Sequence, residues 1–147
     1  MRVKGVVMAW LVLVGRLLFA VLFLGSGAGH LTQSQMMAGY AQSKGVPWAR
    51  ASVLGTGVLI VVGALMVLLG VWADLGALLL VVFLVPTAVL MHGFWSVTDP
   101  QSKQMEQTQF LKDLALAGAA LMLFAFFATT PDLGLTITDP LFDGLFE

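Results

Sequence analysis

Four long stretches of this chain lack the polar half of an amphipathic pattern. Residues 6–29, 51–71, 75–91 and 110–129 are apolar nearly throughout. Each falls in the range of about 17–25 residues that a helix needs to cross the hydrocarbon core of a bilayer. None alternates with the two-residue period of a barrel strand, and a backbone in lipid must satisfy its own hydrogen bonds, so the pattern predicts four transmembrane helices. The exceptions inside them are Arg16 in the first and Lys112 and Asp113 in the first turn of the fourth.

The connections differ in kind. Residues 30–50, HLTQSQMMAGYAQSKGVPWAR, place Met36, Met37, Tyr40 and Ala41 at helical spacing with glutamines and Lys44 elsewhere. This predicts a short amphipathic interfacial helix, ended by Gly45 and Pro47, with Trp48 and Arg50 marking the headgroup level. Helices two and three are joined by little more than Trp72–Asp74 and must be antiparallel neighbours. The loop HGFWSVTDPQSKQMEQTQ, residues 92–109, is polar and carries Asp-Pro turn chemistry at Asp99 and Pro100. The acidic tail, residues 131–147, contains two prolines; its LTIT reads as a short extended piece and its LFDGLF as a segment resting on the interface. The expected fold is all-α: one domain over residues 1–147, a four-helix transmembrane bundle with a short amphipathic interfacial helix between helices one and two. A cleaved leader is not expected at the start, because the first apolar stretch is long and interrupted by Arg16.

Composition agrees with this pattern. Hydrophobic residues are 59% and charged residues 10% of the chain, against about 25% charged in a soluble domain. Mean hydropathy is +0.97. A net charge of −1 offers no basic surface for nucleic acid. The absence of cysteine excludes disulfides, thiolate metal sites and dithiol redox chemistry. Two histidines without a ligand-spacing motif do not predict a metal site. The lipid bilayer is therefore the first partner. Orientation in it is contested between two cues: Arg2 and Lys4 lie on one face, Lys44, Arg50, Lys103 and Lys112 on the other.

Four spans put both ends of the chain on one side and the first and third connections on the other, called the loop face below. His30 and His92, each closing a helix, converge there with Tyr40, Trp95 and the start of the fourth helix. Histidine at a helix C-terminus is favoured by the dipole and titrates near neutrality, although an interfacial residue beside an aromatic belt has the same signature. Asp113 is expected to turn inward while Lys112 snorkels out. Glu106 lies seven residues before Asp113, two helical turns, and shares its face if the helix starts early. Arg16 either faces a polar cavity or snorkels toward Asp74 or Asp132. Gly25 and Gly29, and Ala115 and Ala119, have the small-xxx-small spacing of close helix packing.

Taken in order, GRLLFAVLFLGSGAGHLT, MAGYAQSKGVP, HGFW and QFLKDLALAGAALML resemble the DoxX family of small bacterial membrane proteins, over roughly residues 15–138. The resemblance implies a four-helix, multi-pass protein of the bacterial inner membrane. It further implies an accessory or anchoring subunit of a redox complex that binds a quinone or a lipid headgroup near the loop face, with a protein partner or a second copy of itself. No residue of the chain transfers electrons alone, so the chemistry is expected to sit on a bound quinone or on a partner. The expected ligand-binding residues are Arg16, His30, Tyr40, His92, Trp95 and Asp113: His92 and Asp113 to handle protons, His30 and Tyr40 to donate hydrogen bonds, Trp95 to stack. Three positions depart from the family pattern: His30 stands where many members have Lys, Ile60 where many have an acid, and Asp113 where many have Asn. The alternative is a purely structural or assembly protein with no ligand chemistry of its own. Whether the chain is an enzyme is not decided by these residues.

Overall fold

A computed structural model describes residues 3–130 and 133–144. Among them the elements are α1 (Val3–Thr32), α2 (Ser34–Ser43), α3 (Ala49–Leu69), α4 (Ala73–Met91) and α5 (Pro100–Thr129), with no strand. Four of these, α1, α3, α4 and α5, are long and apolar enough to cross a membrane, and α2 is the short helix between the first two spans. The expected all-α fold is what is observed. Neighbours run α1 to α3, α3 to α4 and α4 to α5, and α2 lies against α3.

The boundaries move in physically readable ways. Helix α5 starts ten residues before the apolar stretch does. Asp99 caps it, its carboxylate accepting from the Ser102 amide at 2.8 Å, and Pro100 occupies the first turn, where its missing N–H costs nothing. The polar run 100–109, read above as loop, is therefore a helical extension that carries α5 out of the apolar layer. The hairpin between α3 and α4 turns at Gly70, in the left-handed region at φ 68, and Trp72, also at positive φ. Asp74 thus sits inside α4, fully buried, rather than in the loop.

The small-residue seams are also not the expected ones. Gly25 and Gly29 have open space where a Cβ would be. The close approach of α1 to α3 is made by Gly27, where a Cβ would lie 3.2 Å from the Gly57 carbonyl oxygen. Position 27 points about 200° away from position 25 on a helix, so spacing alone could not choose between the faces. On α5 the buried face is Asp113, Ala117 and Ala120, leaving Ala115 exposed. On α2 the buried residue is Ala41, while Met36 and Tyr40 are exposed. The core between the helices is built from Ala20 and Phe23 of α1, Ile60, Ala64 and Val67 of α3, Ala77, Leu80 and Leu84 of α4, and Ala117, Ala120 and Phe127 of α5. Alanine recurs on every one of these helices because, in lipid, helices associate by close packing rather than by escape from water.

The tail is irregular. LTIT, expected as an extended piece, forms bends, and Leu135 takes positive φ. Its backbone is held from outside: Ile137 N and Thr138 N donate to the Gly70 carbonyl at 3.0 Å each, and the Trp72 amide donates to Thr138 Oγ1 at 2.8 Å. The expected resting place of LFDGLF is described only up to residue 144.

Candidate functional site

The polar residues of the loop face gather on one carboxylate. Because α5 is helical from Pro100, Glu106 stands two turns before Asp113 on the same side, facing the end of α4 and the end of α2. Tyr40 Oη donates to Glu106 Oε1 at 2.9 Å, and Lys44 Nζ donates to the same oxygen at 3.0 Å. His92 Nδ1 meets Oε2 at 2.8 Å. A carboxylate only accepts when ionised, so all three groups act as donors and the proton on the imidazole is placed at Nδ1. Lys44 also lies over the Tyr40 ring, 5.3 Å from its centroid. Burial lowers the Lys44 ammonium, but its hydrogen bonds and charge interactions with Glu106 and Tyr40 together outweigh it and hold the group above its ordinary value. Burial first, then the bond to Glu106, raises the Tyr40 phenol, which keeps it a donor at neutral pH.

The second imidazole nitrogen looks the other way. His92 Nε2 is 3.8 Å from Asp113 Oδ2, and Asp113 is 5% exposed. On its outer side Asp113 is 3.6 Å from Lys112, whose ammonium is tied to Gln109. Asp113 turned inward and Lys112 outward, as their 100° separation on a helix required. Glu106, His92 and Asp113 therefore form a carboxylate–imidazole–carboxylate series from the end of α2 to the first apolar turn of α5. Beside it sits an aromatic group: Phe94 to Phe110 at 5.6 Å, Trp95 to Phe110 at 6.0 Å and Phe94 to Trp95 at 5.7 Å between centroids. Gly93 permits this fold-back, since a Cβ there would meet the Trp95 ring at 2.7 Å. Among the described residues no three His, Asp or Glu side chains gather closely enough to hold a metal ion.

Four of the six expected residues, Tyr40, His92, Trp95 and Asp113, fall in this region. His30 and Arg16 do not join it. His30 Nδ1 bonds between Val53 O (3.2 Å) and Thr56 Oγ1 (3.0 Å), and its ring stands edge-on to Phe83 at 5.8 Å, so it staples α1 to α3 and α4. Arg16 lies at the opposite end of the molecule. Its Nε donates to Val67 O at 2.7 Å, Nη2 to Leu68 O at 2.5 Å and Nη1 to Leu135 O at 2.8 Å. The expected snorkelling toward Asp74 is replaced by capping of the α3 C-terminus, where a cation is favoured by the dipole and unpaired carbonyls need donors. Asp132 lies outside the described residues. Asp74 instead serves backbone, accepting from Leu75 N at 2.9 Å and Phe142 N at 2.7 Å. The hub missing from the expected set is Glu106, with Lys44; the two-turn spacing to Asp113 was its signal.

If Glu106 organises this region, Glu106→Ala leaves Tyr40, Lys44 and His92 without their shared acceptor and frees the end of α2. Trypsin cleavage after Lys44 in the native protein is expected to rise about tenfold, as local opening becomes easier. Unchanged cleavage would show that α2 is held by its contact with α3 alone.

Helices of this length and apolarity, joined by polar turns that meet on one face, define a multi-pass α-helical membrane protein. The chain matches the DoxX family over residues 11–93, more than half of its length, and belongs to that family. The matched region carries most of α1 and all of α2, α3 and α4; α5, with Glu106 and Asp113, lies beyond it. No curated protein and no solved structure matches the chain.

Proposed function

We propose that this chain is an accessory subunit of a redox complex in the bacterial inner membrane, and that its loop face binds a quinone headgroup and exchanges protons with it through His92. The observation that supports this best is the position of the imidazole. Nδ1–H is committed to Glu106 at 2.8 Å, so Nε2 is the nitrogen at which a proton can come and go, and it faces the buried side with Asp113 at 3.8 Å. The Glu106 carboxylate on the Nδ1 side fixes the tautomer and orientation of the ring. The residues present suit a quinone: Nε2 and Asp113 offer polar atoms at the edge of the apolar layer, and Phe94, Trp95 and Phe110 offer ring faces. A bound quinone would supply the redox chemistry the side chains lack, taking two electrons and two protons on reduction; the electrons come from a protein partner. Tyr40 and Lys44 hold Glu106 in place, and His92 is the group that moves a proton.

The test is a titration of the protein in lipid nanodiscs with a short-chain ubiquinone, read by quenching of tryptophan emission. Saturable quenching is expected, absent in Trp95→Phe. His92→Ala is expected to abolish it, and Asp113→Asn to weaken it about tenfold, roughly 1.4 kcal/mol. Wild-type affinity in both His92→Ala and Asp113→Asn, with helicity retained, would remove the proton-exchange role and leave an assembly role for the chain.

A further inference from the structure

The outer face of α1 repeats every seven residues. Val7, Val14 and Val21 are evenly spaced, Leu11 and Leu18 fall between them, and the steps run four, three, four, three. All five are between 50% and 71% exposed. Gly25 and Ala28 continue the series toward the loop face and are exposed as well; a Cβ on Gly25 would meet nothing within 4 Å. The inner face keeps the same period, since Ala9, Arg16 and Phe23 are buried. The outer stripe therefore stays outward along the helix. Among the described residues, α3 is the one span packed closely along α1, which leaves α1 at an edge of the bundle.

The stripe also runs past the rest of the bundle. α3 stops at Leu69, α4 begins at Ala73 and α5 stops at Thr129. Arg16 bonds to Val67 and Leu68, so it stands level with that end, and Val7, Leu11 and Val14 lie beyond it. From Gly5 to Gly15 α1 is an apolar belt without a charged, amide or hydroxyl side chain. It extends about 16 Å from Arg16 at 1.5 Å per residue. Acyl chains do not account for a belt at this level, because the tail beside it is polar. Asp139 and Asp143 are exposed there, each next to a residue whose amide is tied to the bundle, Thr138 to Gly70 and Phe142 to Asp74. Exposed carboxylates are costly among acyl chains, so headgroups and water reach this end and the belt needs another cover.

We infer that the cover is another copy of this chain, and that α1 is its self-association helix, packed in parallel through Val7, Leu11, Val14, Leu18 and Val21. The repeat is that of a left-handed coil, with leucine at a and valine at d. Such a seam needs a partner helix with the same period, and a second copy supplies it. Copies inserted in one orientation have parallel α1 helices, which sets each a residue against a and each d against d. No charge opposes this between Val7 and Ala28: the one charged residue there, Arg16, faces inward and is spent on carbonyls of α3 and the tail. Membrane helices pack mostly at the same left-handed angle as soluble coils, so one seam serves both the embedded part and the overhang. Gly25 and Ala28 let the backbones close in toward the loop face. Leucine at a with a β-branched residue at d favours more than two strands, so the seam is not confined to a pair.

The chain has no cysteine, so single-cysteine variants report one position each. The full chain is reconstituted in liposomes and oxidised with copper phenanthroline, and disulfide-linked pairs are counted on a denaturing gel. A disulfide needs Cα atoms within about 7 Å, so the yield reads proximity between copies. Leu11→Cys, Val14→Cys, Leu18→Cys and Val21→Cys are expected to cross-link about tenfold more than Met122→Cys, which is exposed on α5 at 69%. The yield along α1 is expected to peak with the four–three spacing and to fall at Leu17 and Leu22, which are exposed beside the seam. Tenfold dilution of the protein in lipid is expected to leave the seam yields unchanged, as it would not for chance collisions. Yields at the seam equal to that of Met122→Cys, yields without the four–three period, or yields that fall in proportion to dilution would overturn the inference and leave lipid on this face.

Discussion

Arg16→Met is expected to destabilise the protein by about 3 kcal/mol or more, the sum of lost charge-assisted bonds and carbonyls left unpaired. Methionine keeps most of the aliphatic stem, so packing changes little and the loss isolates the guanidinium. Three acceptors, Val67 O, Leu68 O and Leu135 O, lose their donor at once. Two of them are final-turn carbonyls of α3, which no amide within that helix can reach. In water such carbonyls would hydrate; beside an apolar belt they have fewer alternatives. Arg16→Lys is expected to recover only part of the loss, because an ammonium is not the planar fork that reaches three acceptors on two elements. Unfolding in mixed dodecylsulfate micelles, followed by circular dichroism, gives the difference. A change below about 0.5 kcal/mol would mean that these carbonyls find other donors.

Arg16 also shows where reading the sequence stops. Its cost in lipid was plain from composition and position, and so was the need for an inward partner. The partner itself was not, because main-chain carbonyls carry no residue identity. The anions expected on that side are Asp74 and Asp132, whereas Asp74 holds a different part of the same tail. The four spans were legible because twenty apolar residues in a row leave lipid as the only economical solvent. The convergence of the two polar connections was legible too, since it follows from counting spans.

Glu106 is the opposite case. Its spacing to Asp113 was visible, but its role depended on whether residues 100–109 were loop or helix. Polar composition favoured loop; the Asp-Pro pair, which reads equally as a turn and as an N-cap with proline in the first turn, decided for helix. Once that helix exists, Glu106 must face α4, and Tyr40, Lys44 and His92 follow. His30 was drawn into the expected site by its chemistry, yet its nearest acceptors are a carbonyl and a hydroxyl of α3. Packing direction, not residue type, separates the two histidines.

Packing direction also controls the second large effect. The α3–α4 crossing is made by Gly63 and Gly76, whose backbones touch. A Cβ on Gly76 would stand 2.6 Å from Met66 Cβ, 2.9 Å from the Gly63 carbonyl oxygen and 3.1 Å from Val67 N. None of these is the free end of a flexible side chain, so the helices must separate. Gly76→Ala is therefore expected to cost about 2–3 kcal/mol, the range for overpacking a tight contact. Gly25→Ala and Gly118→Ala meet nothing within 4 Å. Both are expected to be neutral or to stabilise by up to about 1 kcal/mol, because alanine is the better helix former. The three variants differ by the same methyl group, so the contrast reads the crossing and not composition. It also separates the Gly25–Gly29 spacing, which the helices do not use, from the glycines they do. Equal stability of Gly76→Ala and Gly118→Ala would show that α3 and α4 do not approach this closely in the membrane.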